Sequence, residues 1–370
     1  MKRKYLGITV LTIACIMVAG CSLSGEANTQ KTVTINDDVQ LDSSLADSNL
    51  AIVHTSTIPV TEKADFKGFR DEHIYYTKNG AINTLHLPTQ VESKLSDQEF
   101  FALSENGNRA LSRIDDQMYV LDFTTKTEKL IEEGSEEYLY FADDEGKEIF
   151  YVEFRDEFKI HVINVDSSEV RTWDLTNIFK LDNFELNSIK KDEDGIYIVG
   201  DSIENGYGLY HLNNAGEIKT ISNLTNIDSM YQFEFIDSTN IIFNDTYKGK
   251  TGIYLLNLES NEVTQFVAGG KDDEGVWTPF YKLSPDKSKI LFDTPVQVGN
   301  DYKSNVYMAE LVNNQLVNTV RIMENAELGA VIMLSGHWSQ DSKTAYISTF
   351  KPCKTGNTFI DTVEIFTIQE

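Results

Sequence analysis

The chain has 370 residues, 41% hydrophobic and 11% aromatic, which is enough apolar material for a large core. Lys and Arg number 32 against 58 Asp and Glu, a formal charge of −26, which argues against nucleic acid as a partner because phosphate binding needs clustered cations. The cysteines are Cys15, Cys21 and Cys353, too few for a disulfide framework, so stability has to come from packing.

The first predicted element is a leader over residues 1–20. Lys2, Arg3 and Lys4 precede an apolar run from Tyr5 to Met17, followed by Val18-Ala19-Gly20-Cys21. A basic start, a short apolar core and small residues before a cleavage point describe an export signal. The run falls short of the roughly 20 apolar residues that span a bilayer. Val-Ala-Gly-Cys resembles the lipobox of bacterial lipoproteins. That resemblance implies cleavage before Cys21, acylation of its thiol and attachment to the extracytoplasmic face of the cell membrane, as in Gram-positive bacteria. Loss of the leader removes three cations, leaving 29 − 58 = −29. Anionic headgroups repel such a surface, so the acyl chains have to hold the protein at the membrane. Residues 21–49 are rich in Ser, Thr, Asn, Asp and Gln and predict a tether.

Residues 50–370 predict an all-β domain built from a repeat. Polar turns at Asn106-Gly107, Glu145-Gly146, Asp194-Gly195, Asp237-Ser238, Asp286-Lys287 and Asp341-Ser342 lie 39 to 55 residues apart. An apolar strand follows each turn, for example Ile149–Val152, Ile241–Phe243 and Ile290–Phe292. A further strand comes after it, as in Ile160–Ile163, Leu209–Leu212 and Ile253–Leu256. A weaker first copy lies at Ile74-Tyr75-Tyr76 and Ile82–Leu85. Such a period with four strands per unit is the signature of a β-propeller, in which blades bury their two apolar faces against one another. The count predicts seven blades, with six or eight as alternatives. Leu50–Ile58 is placed as the strand that completes the last blade and closes the ring.

Two repeats carry a resemblance. Leu283-Ser284-Pro285-Asp286-Lys287-Ser288-Lys289-Ile290 and Trp338-Ser339-Gln340-Asp341-Ser342-Lys343-Thr344-Ala345 resemble the S-P-D-G blade motif of TolB-type propellers. Together with the lipobox, the chain is similar to TolB-like or YqgU-like propeller lipoproteins. The resemblance implies an envelope binding module; the helical N-terminal domain of TolB has no counterpart, so a role in the Tol–Pal system does not carry over.

No G-x-S-x-G elbow is present. The His residues lack the H-x-x-x-H spacing of a zinc helix, and no cofactor or metal site is predicted. His161 and His211 read as the same slot in neighbouring blades. The segments between second and third strands lengthen along the chain and carry Arg155, Tyr207, Tyr247, Lys248, Lys250, Tyr302, Lys303, Lys351 and Lys354, an aromatic and basic set on an acidic protein. They are expected on one end of the ring, as loops binding a protein, peptide or cell-wall partner. Trp277, Tyr281, His337 and Trp338 mark the starts of the last two blades, where they either line a central channel or pack between blades. The alternative function is a hydrolase or lactonase with a metal or polar site in that channel.

Overall fold

The structure is a computed structural model describing residues 50–59, 65–70, 72–98, 100–104, 106–115, 117–133, 139–143, 145–153, 157–180, 189–191, 194–224, 227–271, 276–298, 301–326, 336–352 and 358–369. These residues form seven four-stranded antiparallel blades arranged as a β-propeller, with no helix among them. Blades I to VI span residues 65–96, 102–133, 139–174, 189–223, 227–268 and 281–326. Blade VII takes three strands from residues 336–369 and its outermost strand, Ala51–Pro59, from the beginning of the described chain. A two-stranded ribbon, Gly270–Lys271 with Val276–Trp277, lies between blades V and VI. The leader, Cys21 and the segment up to residue 49 lie outside the described residues.

The hydrophobic core shows why the ring closes at seven. It divides into seven clusters, and each one draws its side chains from two consecutive blades. Phe150 and Ile160 of blade III meet Ile196 and Tyr210 of blade IV. Tyr346 and Val363 of blade VII meet Phe69, Ile74 and Tyr76 of blade I, completing the circle. Both faces of every blade are thereby covered.

Local chemistry repeats with the blades. In blade VI, Ser284 Oγ donates to Asp286 Oδ1 (2.6 Å), Ser288 N donates to the same oxygen (3.0 Å), and Lys289 N donates to Ser284 Oγ (2.9 Å). Ser339 and Asp341 do the same in blade VII, and Ser104 with Asn106 in blade II. Each turn then passes through a residue in the left-handed region: Gly107, Lys287 or Ser342. Burial raises the Asp286 carboxyl, but the bonds from Ser284 and Ser288, with Lys289 nearby, outweigh it and bring the pKa down to about 2.

The outermost strands carry a second repeat. Their pairing slips by one residue at Leu95, Ile131, Ile221 and Phe266 in blades I, II, IV and V. Each of these apolar side chains packs against the cluster shared with the next blade. A β-bulge re-aims a side chain, and here it sends one from the outer edge into the blade interface.

Candidate binding face

One end of the ring carries the first-to-second and third-to-fourth turns; the other carries the second-to-third hairpins and the links between blades. At this second end the long loops expected from the sequence are continued β-hairpins. In blade VI the second and third strands stay paired out to Val298 and Asp301, and in blade VII out to Pro352 and Thr358. These segments read as loops because they run past the core and lose their apolar alternation. The candidate residues that the structure describes therefore stand on hairpins of defined register.

The best-defined hairpin belongs to blade V. Asn240–Tyr247 turns into Lys250–Asn257 through Lys248 and Gly249, with φ of 51° and 71°. That pair of left-handed residues is the two-residue turn matching strand twist. Lys248 Nζ lies 4.8 Å from the Tyr247 ring centroid, a cation–π contact. Tyr247 is half-buried, with its ring edge-on to Tyr254 at 5.7 Å. Tyr254 Oη in turn donates to the Lys250 carbonyl (2.5 Å). Tyr254 folds back over Gly252, where a Cβ would come within 2.5 Å of the Val267 carbonyl oxygen. Blade IV repeats the device: Tyr210 Oη donates to Gly206 O (2.5 Å) across Gly208.

The structure brings Tyr207 and Tyr247 together, both half-buried against the cluster between blades IV and V. Ile203 is 53% exposed at the tip of the blade IV hairpin. Phe101, leading into blade II, and Val298, at the blade VI tip, are exposed at the same end. Lys250 is exposed opposite Tyr247, and Lys303 is half-buried opposite Val296. Tyr302 pairs with Gln297, and Lys351 with Phe359, on the hairpins of blades VI and VII. Arg155 and Lys354 lie outside the described residues.

The inner-strand aromatics sit in blade interfaces. Tyr281 is fully buried and donates from Oη to the Ile242 carbonyl of blade V (3.0 Å). Burial, with Glu234 nearby, holds its phenol well above the ordinary value. Trp338 donates from Nε1 to the Lys282 carbonyl of blade VI (3.1 Å). The adjacent His337 stacks on Phe69 of blade I at 5.5 Å and 4°. Alternation along one strand thus sends Trp338 to one neighbouring blade and His337 to the other. Trp277 pairs with Gly270 in the ribbon. His161 and His211 face Tyr151 and Tyr197 in the same cross-strand register.

Two polar residues that the sequence reading passed over hold the entry to blade VI. Asn244 Nδ2 donates to Pro279 O (3.0 Å), and Asp293 Oδ1 accepts from Phe280 N (2.7 Å). Both are buried, and Asn244 Oδ1 has no hydrogen-bond partner. The legible signal was a lone polar residue ending an apolar strand, Ile-Ile-Phe-Asn and Ile-Leu-Phe-Asp. Among the described residues, no three His, Cys, Asp or Glu side chains converge on a point that could hold a metal.

No protein-family model matches the chain, and no curated protein matches its sequence. Solved structures do match. The β-propeller domain of the Trilobed protease from Pyrococcus furiosus, described as having an open velcro topology, is 13% identical with a TM-score of 0.52, covering 82% of this chain and 94% of that one. The WD40 repeats of RRP9 are 9% identical with a TM-score of 0.51, covering 86% of this chain and 100% of that one. The chain is a β-propeller. At such identities the likeness concerns the fold alone.

Proposed function

We propose that this protein is an extracytoplasmic lipoprotein, held at the membrane through an acylated Cys21, whose propeller is a binding module. The observation that carries the binding reading is the junction of blades IV and V, where Tyr207, Tyr247, Lys248 and Ile203 occupy one end of the ring on rigid hairpins. Half-exposed aromatics on a stiff scaffold suit a partner because little side-chain entropy is lost on binding. The partner class we assign is protein or peptide at the cell envelope.

Anchoring rests on the leader and on the similarity to TolB-like and YqgU-like propellers. Ala51 pairs with Gln369, at the end of the ring opposite the tyrosine hairpins. A lipid tether entering there would leave the tyrosine face pointing away from the bilayer.

The test is photo-crosslinking in producing cells, with a photoreactive residue at Ile203, Tyr207 or Tyr247 and, as control, at Val91 on an outermost strand. A discrete protein adduct from the face positions and none from Val91 is expected. Identical patterns from all four positions would sink the binding face. Separately, Cys21→Ala should move the protein from the membrane to the soluble fraction; if it stays with the membrane, the anchor is wrong.

A further inference from the structure

Blades III and V are built around the same turn, and the difference between them opens a groove. Asn164-Val165-Asp166-Ser167-Ser168-Glu169-Val170-Arg171 aligns with Asn257-Leu258-Glu259-Ser260-Asn261-Glu262-Val263-Thr264. The hydrogen bonds match. Asn164 Oδ1 accepts from Asp166 N and Ser167 N (3.1 and 2.8 Å), and Asn257 Oδ1 accepts from Glu259 N and Ser260 N (3.1 and 2.8 Å). Ser168 and Asn261 share a left-handed φ of 60° and 57°. The register matches too, with Arg171 opposite Val162 and Thr264 opposite Leu255.

In blade III the residue at this position spans to the next blade. Arg171 Nη1 donates to Asn214 of blade IV (3.2 Å), Nη2 pairs with Glu148 (2.8 Å), and the guanidinium lies 5.7 Å from the Trp173 ring centroid. Glu148 also holds Lys191 of blade IV (2.7 Å). Blade II uses Lys129 likewise, its Nζ donating to the Val165 and Asp166 carbonyls of blade III. Blade V has none of this. Thr264 replaces the cation, Asn240 stands where Glu148 does, and Leu283 stands where Lys191 does. Between Thr264 and the blade VI hairpin at Asn313-Asn314 a cavity of about 340 Å³ remains.

The geometry points to this groove as a binding site for an uncharged oligosaccharide. Both halves of the ion pair that fills the equivalent position have become neutral, so the site does not offer a cation the carboxylate that Arg171 finds. Asn240 is itself engaged, donating to Asp237 and accepting from Asn257 (3.0 Å each). Apart from the exposed carboxylate Glu262, the polar lining is amides and hydroxyls, including Gln265, Asn314, Gln315 and Ser260, over an apolar floor of Phe266 and Leu316. Amides both donate and accept, as sugar hydroxyls do, and an apolar floor suits the C–H face of a pyranose ring. A peptide adding as a strand to the edge of Val263–Ala268 fits less well, because the bulge at Phe266 interrupts the ladder such a peptide would need. The site lies at the end of the ring opposite the tyrosine hairpins and is independent of them.

The test uses the full-length protein in detergent micelles, with the tetramer of β-1,4-linked N-acetylglucosamine and maltotetraose as probes, read by calorimetry and saturation-transfer NMR. At least one sugar is expected to bind. Thr264→Arg, which copies blade III into blade V, should weaken binding at least about tenfold, a difference of about 1.4 kcal/mol in affinity. Asn314→Gly, which removes an amide but tolerates the left-handed backbone, should weaken it too. Tyr247→Ala should leave it unchanged. The proposal is overturned if neither sugar binds, if both groove variants bind like wild type while unfolding at the same temperature, or if a capped neutral pentapeptide binds the groove and the sugars do not.

Discussion

Closure of the ring through Ala51–Pro59 can be tested at one side chain. Ile58 is 3% exposed, pairs with Val363 and packs in the cluster that joins blade VII to blade I, which also holds Phe69 and Tyr346. Ile58→Ala removes buried carbons that the rigid blades on either side cannot replace, costing about 2–5 kcal/mol. For a domain of roughly 320 residues, an unfolding entropy of about 2.1 cal/mol/K per residue gives about 0.7 kcal/mol/K, so the midpoint should fall by about 3–7 °C. Val53→Ala on the same strand is the control, because Val53 is 37% exposed and its loss should stay within about 0.5 kcal/mol. The assay is thermal unfolding of both variants beside wild type, with amide exchange over residues 362–369 as a second readout. Equal midpoints for Ile58→Ala and Val53→Ala, with no faster exchange in that partner strand, would refute the claim that this strand closes the ring.

Three further expectations concern the devices that repeat between blades. Tyr281→Phe removes the bond to the Ile242 carbonyl without making a large cavity, so urea unfolding should show a loss of about 1–2 kcal/mol at unchanged m-value. Gly252→Ala places a carbon 2.5 Å from the Val267 carbonyl oxygen and should cost about 1–3 kcal/mol in the same assay. The Asp286 carboxyl is lowered to about 2 in the folded protein from 3.8, so its contribution is present above pH 4 and is lost as pH falls from about 4 toward 2. Asp286 is half-exposed, and Asn106 fills the same role in blade II, so Asp286→Asn should cost under about 1 kcal/mol at pH 7 and converge on wild type near pH 2. A difference that grows on acidification would contradict this assignment.

The blades were legible because their second and third strands are buried on both faces and read as apolar runs, from Ile74-Tyr75-Tyr76 to Ile290-Leu291-Phe292. Closure by Leu50–Ile58 was legible for a different reason: the last repeat has only three strands of its own. The outermost strands were not. Val91–Ser96 and Val170–Asp174 are largely exposed, and the bulges at Leu95 and Phe266 break the alternation that would mark a strand. Innermost strands such as Ala102–Leu103 are too short to show any period. At the candidate face the residue types were legible but not their setting, since extended hairpins and loops share a polar composition. The groove beside Thr264 was invisible in one turn read alone, because it depends on which blade VI hairpin stands opposite.

Sharing one blade between residues 51–59 and 336–369 sets an order on folding. The partner of Ala51 is Gln369, so Ala51–Pro59 has nothing to pair with until residues 362–369 have been made. Up to that moment the seventh blade has three strands at most, and Leu50 and Ile58 lack the Phe366 and Val363 side chains they will pack against. A chain cut short by even one strand would keep a seam of exposed apolar edges, the kind of surface that recruits chaperones and proteases. The joint therefore works as a check on synthesis: only a chain extended through Gln369 can hide Ala51–Pro59.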